Sequence, residues 1–283
     1  MHEVCVVVFG EVLVDRFPDG SEVIGGAPFN LAWHLQGVGL RPIFVSRVGD
    51  DEAGHQIRER MSTWGMDTSH LQTDPSRPTG RVEVSVHQGH PHYDIVAPAA
   101  YDAIEWPDLP ARSHPTWLVH GTLAARASRS AATLRRLVDA AHHRLVDVNL
   151  RAPWFDGAAA RPWCRGADLL KVSADELHEL SGGAGPRALI DELALGSLVV
   201  TAGSEGASLT TPGQPATVVE GTPTPDVVDT VGAGDAFSAL LLWGRLQGWP
   251  AERTLRTADR FARRVIRRRG ATSSDPTLYE GLA

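Results

Sequence analysis

The chain is poor in several features that particular protein classes require. Two cysteines, Cys5 and Cys164, occur in 283 residues, and they form no Cys-x-x-Cys pair. That argues against a disulfide framework and a thiolate zinc site, so both are expected as plain buried thiols. Lysine is almost absent. Lys171 is the single copy and every other basic residue is arginine, which reads as compositional bias. Long apolar runs are missing: residues 4–9 are apolar but too short to span a membrane, and they lack the basic start of an export signal. Positive charge is in deficit, with a net charge of −7 and a pI near 5.9. This weighs against nucleic acid as a partner and suits a cytoplasmic protein. No Gly-x-x-x-x-Gly-Lys-Ser/Thr phosphate loop, internal repeat or low-complexity linker occurs.

What is present is an alternation of β-branched and helical stretches. Residues 4–9 end at Gly10 and read as a buried parallel strand. Residues 42–46, 116–120, 145–151 and 197–201 read as further strands, with helices over about 48–64, 128–141 and 250–270. Residues 78–96 differ. There Val82, Val84 and Val86 alternate with Glu83, Ser85 and His87, the period of a half-buried strand, and 93–96 reads as a return strand. His87, His90 and His92 cluster on this unit, but no carboxylate or cysteine stands at ligand spacing, so they are read as exposed rather than metal-binding. Arg260, Arg263, Arg264, Arg267, Arg268 and Arg269 crowd the last helix and are read as its solvated face.

The stretch 226–237 organises the rest. Residues 222–226 are rich in breakers, whereas 236–243 are apolar nearly all round and read as a buried helix. Gly232, Ala233 and Gly234 therefore lie at the mouth of that helix, where unpaired N–H groups and the positive end of its dipole make an anion site. Asp235 stands in the same place. A carboxylate there repels an anion, but it makes sense as the base that deprotonates a nucleophile attacking a phosphoryl group held by those N–H groups. Helix capping alone would also explain Asp235.

The run Asp229-Thr-Val-Gly-Ala-Gly-Asp-Ala-Phe237 resembles the C-terminal signature of the ribokinase-like (PfkB) carbohydrate kinases. Gly25-Gly-Ala-Pro-Phe-Asn30 resembles that family's Gly-Gly-x-x-x-Asn, in a form most like fructokinases, and Val48-Gly-Asp-Asp-Glu-Ala-Gly54 resembles its N-terminal signature. The resemblance implies an α/β fold in which a central, mostly parallel sheet is flanked by helices. One kinase domain over 1–283 would carry a small β-sheet lid formed mainly by about 12–24 and 78–98. It implies an ATP-dependent sugar kinase with Mg²⁺ and a monovalent cation such as K⁺, probing fructose first and ribose, 2-keto-3-deoxygluconate or adenosine as alternatives. It also implies a homodimer paired through the lid.

Residue by residue, the resemblance makes Asp235 the base and Gly232, Ala233 and Gly234 the anion hole. Asp15, Gly25, Gly26 and Asn30 hold the sugar. Asp15 could equally be a turn residue on its own position. Asp147, Asn149 and Arg151 alternate along 145–151 and are expected on one strand face, where Arg151 could clamp a phosphate bidentately; Asn149 and Arg151 are placed on the phosphoryl side. Lys171, Ser173, Thr201, Gly203, Ser204 and Gly206 fall to the nucleotide, although 202–206 could be only a hairpin turn. Ser173 stands where the family usually has Asn. With Glu176 it makes a capping box that capping alone would explain, while the resemblance puts Glu176 near Mg²⁺ through the metal's water shell. Asp229 with Gly270 falls to the monovalent cation.

Two other readings compete. Gly232-Ala-Gly234 might open a dinucleotide fingerprint, but position 237 is Phe and no strand directly precedes the loop. A catalytically silent regulatory member of the kinase fold is the other, and Ser173 leaves it open.

Overall fold

The computed structural model describes residues 4–87, 90–107, 109 and 116–282, leaving aside the side chains of 86–92. Nine strands form the main sheet, in the order β13-β12-β11-β10-β9-β8-β1-β4-β5. These are β1 (Val6–Phe9), β4 (Ile43–Gly49), β5 (Leu71–Asp74), β8 (Trp117–His120), β9 (His143–Asp147), β10 (Leu169–Ser173), β11 (Leu198–Thr201), β12 (Gly206–Thr210) and β13 (Thr217–Glu220). All neighbours from β11 to β5 pair in parallel, and β12 and β13 add antiparallel at one edge.

The strand β1 sits inside the sheet between β8 and β4. Its residues alternate between two cores: Val6 and Val8 face one, Val7 and Phe9 the other. Burial on both faces explains why this strand is apolar without a break. Helices α1 (Ala27–Gly37), α2 (Glu52–Thr63), α7 (Ala233–Leu246) and α8 (Ala251–Val265) supply the first core. Helices α3 (Ser128–Ala140), α4 (Gly157–Cys164), α5 (Ala174–Ser181) and α6 (Pro186–Leu193) supply the second. Because the chain moves to one side of β1 first and the other side later, the carboxyl end of β1 is a switch point, where ligands of open α/β sheets bind.

A second, four-stranded sheet has the order β3-β2-β6-β7, built from β2 (Leu13–Arg16), β3 (Glu22–Gly25), β6 (Gly80–His87) and β7 (His90–Ile95). Its strands lie within 13–25 and 80–95, where about 12–24 and 78–98 were expected. The side chains of His87, His90 and His92 lie outside the described residues.

Three expectations are corrected. The strand expected over 145–151 ends at Asp147, and Asn149 takes a left-handed φ of 48°, so Asp147, Asn149 and Arg151 share no strand face. The chain leaves the sheet there, with the Val148 N–H donating to the Lys171 carbonyl. Cys164 is buried but Cys5 is only half-buried. The arginines of α8 and its tail are not merely a solvated face. Arg263 pairs with Asp259 at 2.7 Å, Arg264 donates to the carbonyls of Leu278 and Glu280, and Arg268 pairs with Asp275. Arg264 and Arg268 fasten the C-terminal segment and Arg263 pairs within its own helix, while Arg260, Arg267 and Arg269 are exposed as expected. Among the described residues no helix is long and apolar enough to cross a membrane.

Candidate active site

The site is assembled where α7 begins. Gly232 caps the helix at φ 81°, and a Cβ there would lie 2.3 Å from the Ala271 Cβ. Only glycine meets both demands. The loop before it is held by Asp229, which accepts from the Val231 N–H and the Gly270 N–H, each at 3.0 Å. Ala233 donates weakly to the Thr230 carbonyl at 3.4 Å. The amides of Gly234 and Asp235, in the first turn, lack helical acceptors by position and give the helix its positive end.

Asp235 follows in the first turn and is buried. Asn30, on α1, donates from Nδ2 to Asp235 Oδ2 at 2.8 Å. That single bond joins the two motifs, 205 residues apart in sequence. Burial pushes the Asp235 carboxyl up to about 6, helped by the charge of Asp147; the Asn30 bond and the charges of Lys171 and Arg151 oppose the rise. A carboxylate raised to this range is ionised at neutral pH, yet basic enough to take a proton.

Beneath the helix mouth lies a closed network. Lys171 on β10 donates to Asp147 at the end of β9, with Nζ 3.0 Å from Oδ1. Ser238, one turn along α7, donates to Asp147 Oδ2 at 2.7 Å. A Cβ on Gly234 would lie 2.9 Å from Lys171 Nζ, so the second glycine makes room for the ammonium. Lys171 and Asp147 are both buried, and a buried pair is tolerable when further hydrogen bonds complete it, as Ser238 does here. Burial opposes the charge of Lys171, but the charges of Asp147, Glu176 and Asp235 and the hydrogen bond to Asp147 together outweigh it, holding the ammonium above its usual range. The single lysine is thus a structural choice, which composition alone did not reveal.

The other expected residues gather around this point. Asp15, on β2, is pushed up to about 6 by burial, with Asp229 adding and Arg151 opposing. Gly25 faces it: a Cβ there would lie 3.2 Å from Asp15 Oδ2. Gly26 has φ 110°, and a Cβ would lie 2.8 Å from the Glu11 carbonyl. Arg151 is exposed, yet its charge reaches Glu11, Asp15 and Asp235. Glu11 was not singled out from the sequence. It sits just past the end of β1, buried, and its carboxyl is pushed up to about 7 by desolvation. Its place after the first strand and Gly10 was the available signal.

On the far side, β10 and β11 end together, with Ser173 opposite Thr201. Thr201 donates to the Val172 carbonyl, and 203–205 form one 3-10 turn closed by Gly206 at φ 108°. Gly203 has φ 55° and Ser204 is exposed. The capping box is present: Ser173 Oγ accepts from the Glu176 N–H, and Glu176 Oε2 accepts from the Ser173 N–H at 2.7 Å. Glu176 Oε1 accepts from the Leu150 N–H at 2.8 Å. Both oxygens of Glu176 and both of Asp229 are therefore engaged by backbone. Among the described residues no group of three His, Cys, Asp or Glu could hold a metal ion.

A buried carboxylate beside the open amides of a helix mouth, over a polar floor, is an arrangement that could serve phosphoryl transfer. Residues 5–278 match the model of the pfkB family carbohydrate kinases. The chain belongs to this family. It is accordingly a phosphotransferase acting on a sugar hydroxyl. A fructokinase of Escherichia coli is 31% identical, covering 92% of this chain and 89% of its own. An aminoimidazole riboside kinase of Salmonella typhimurium is 30% identical, covering 84% and 80%. Among solved structures, a fructokinase of Vibrio cholerae O395 in its fructose-, ADP- and calcium-bound form superposes with a TM-score of 0.83 at 26% identity, covering 99% of both chains. The PfkB fold thus extends over the whole chain.

Proposed function

We propose that this PfkB kinase transfers the γ-phosphoryl group of ATP, taken as its magnesium complex, to a hydroxyl of fructose. The observation that carries the mechanism is the Asn30–Asp235 hydrogen bond, which brings the sugar-side motif and the base into one constellation. Asp15, Gly25, Gly26 and Asn30 orient the sugar. Asp235 accepts the proton of the attacking hydroxyl, and the sugar oxygen forms its bond to the γ-phosphorus as the bond to the ADP oxygen breaks. The amides at 232–235 face the charge on the transferring group, and the Lys171 ammonium lies just behind them. Arg151 and Asn149 serve the phosphoryl side, and Ser173, Thr201, Gly203, Ser204 and Gly206 the nucleotide. A magnesium ion bound to the nucleotide would offset phosphate charge there. The small sheet acts as the lid that keeps water from the phosphoryl group.

The fructose assignment rests on the Gly-Gly-Ala-Pro run and on the Escherichia coli and Vibrio cholerae relatives. A Vibrio cholerae fructokinase variant has been seen with potassium, fructose and ADP, which supports K⁺ beside Asp229 and Gly270. Pairing through the outer strands of the small sheet is the proposed dimer, checked by sedimentation velocity. The match to the riboside kinase favours a ribosyl acceptor as the second reading. ATP consumption with fructose, ribose, aminoimidazole riboside, 2-keto-3-deoxygluconate and adenosine, with Mg²⁺ and K⁺, decides between them. Turnover highest with fructose is expected; turnover highest with the riboside moves the assignment, and turnover with none revives the silent-protein reading.

A further inference from the structure

The segment 270–273, between α8 and the 3-10 turn Pro276–Tyr279, is gripped by side chains of α1 and α2. His34 Nε2 lies 3.0 Å from the Ala271 carbonyl, Trp33 Nε1 donates to the Ser273 carbonyl at 2.9 Å, and Arg60 Nη2 donates to Thr272 Oγ1 at 2.9 Å. On its other side the same segment meets the mouth of α7. The Gly270 N–H donates to Asp229, and the Ala271 methyl fills the place where a Cβ on Gly232 would fall. Of the three grips only the one from His34 is wholly buried.

His34 is a costly side chain for that place. It has no exposed surface, and its ring stands edge-on to Phe261 at 5.1 Å. Packing alone would be met by an apolar residue, since an enclosed polar ring is tolerated only when its nitrogens are bonded. Both are. Burial pushes the imidazole down to about 4, so it is neutral and carries one N–H. The Ala271 carbonyl can only accept, which puts that proton on Nε2, and Nδ1 then accepts from the Tyr279 hydroxyl at 3.0 Å. His34 also stands one turn after Asn30 on α1, so the two share a face. Asn30 holds Asp235, and His34 holds the residue that backs Gly232. One helix, whose first turn carries the sugar motif, thus reaches both sides of the mouth of α7.

We infer that His34 is a positioning residue for phosphoryl transfer, which through the Ala271 carbonyl fixes the amides at 232–235 relative to Asp235 and the sugar. It touches no substrate and acts only through Ala271 and Gly232.

This inference rests on the proposed anion hole, and its test separates the two. His34→Leu removes the donor to Ala271. His34→Gln keeps one, because a glutamine Nε2 can take the place of the imidazole Nε2. Tyr279→Phe removes only the outer bond and leaves the imidazole to hold Ala271. Each is assayed for kcat and KM with the preferred sugar and ATP, for thermal midpoint, and for hydrogen exchange of the amides 229–235 in the unliganded protein. His34→Leu and Tyr279→Phe should both lower the midpoint, by about 2–4 °C for each buried hydrogen bond stripped. Rate should part them. In His34→Leu kcat should fall about ten- to a hundredfold, the cost of a small misplacement at a reacting centre, with KM little changed and faster exchange at 229–235. His34→Gln should recover most of the rate, and Tyr279→Phe should keep it. Unchanged kcat in His34→Leu, no recovery in His34→Gln, or an equal loss in Tyr279→Phe would reduce His34 to a core residue and overturn the inference. Should His34→Leu not fold, Trp33→Phe takes its place. It frees the Ser273 carbonyl and should lower kcat severalfold with faster exchange at 229–235, and unchanged kcat and exchange would overturn the inference. If wild type phosphorylates no sugar, the kinase reading fails, and the exchange comparison alone decides whether His34 holds the helix mouth.

Discussion

At the start of α7 the polar groups are enclosed by one another, whereas across the site the segments 201–206 and 226–231 stand open. Lys171, Asp147 and Ser238 are buried and linked through bonds of 2.7–3.0 Å, and Asp235, also buried, is bonded to Asn30 at 2.8 Å. Opposite them, Ser204 is exposed, and Val228 keeps 62% of its surface in solvent. The half proposed to accept the proton is pre-organised by these bonds. The nucleotide half leaves apolar surface uncovered, which a bound base and ribose would cover. Substitutions in the enclosed half should therefore reach both rate and stability, and those in the open half should reach nucleotide affinity alone.

The largest effect expected is on rate. Replacing Asp235 by Asn keeps the shape and removes the base, and kcat should fall by at least the 10²–10⁴-fold that general-base catalysis typically supplies, about that size here. Steady-state kinetics with the preferred sugar measure it. Next comes Lys171→Met, which leaves the Asp147 carboxylate buried without its cation. Urea unfolding should show a loss of about 3–5 kcal/mol, as for other broken buried pairs. Gly232→Ala should cost about 1–3 kcal/mol, since alanine must adopt a left-handed φ against Ala271, and it should lower kcat by distorting the anion hole. The smallest effect is expected in the open half. Val228→Ser should change stability by less than about 0.5 kcal/mol, while raising the KM for ATP severalfold. A stability loss there as large as at Gly232 would erase the contrast.

Titration sharpens the same comparison. The base works as a carboxylate, so kcat/KM should rise with pH through the Asp235 value of about 6. Its contribution to stability runs the other way. A carboxyl raised from 3.8 to about 6 in the folded protein binds its proton more tightly when folded, so it stabilises fully below about 4 and loses that contribution as pH climbs through 6. Other groups, such as Asp74, held below the usual carboxylate range by its hydrogen bonds and Arg47, run in the opposite sense. The measurement is therefore the difference in unfolding free energy between wild type and Asp235→Asn across pH 4–7. Wild type should lose ground steadily as pH rises.

How far the site was legible in the sequence depended on how local each feature is. The helix mouth and the place of Asp235 in its first turn were readable because Gly232 to Asp235 are contiguous at one helix start. One strand of the small sheet, β6, was readable from the alternation at Val82 and Val84, and the sheet as a whole only through the resemblance. The Lys171–Asp147–Ser238 network was not, because its members lie 24 and 91 residues apart and parallel pairing of β9 with β10 must form first. Lys171 therefore passed for compositional bias. The strand at 145–151 was read too long, because alternation continues in the letters after Asp147 while the backbone turns left-handed at Asn149. Glu11 left only its place after the first strand and Gly10 as a signal, since its burial depends on packing that the letters do not announce.

The central claim is that Asp235 is the catalytic base and not a helix cap, and single-turnover kinetics of Asp235→Asn with ATP binding measured in parallel test it most directly. The account predicts that phosphoryl transfer slows by about a thousandfold, within the range for loss of a general base, while ATP still binds with near wild-type affinity. Transfer at close to the wild-type rate would show that Asp235 only completes the first turn of α7, and would contradict the mechanism.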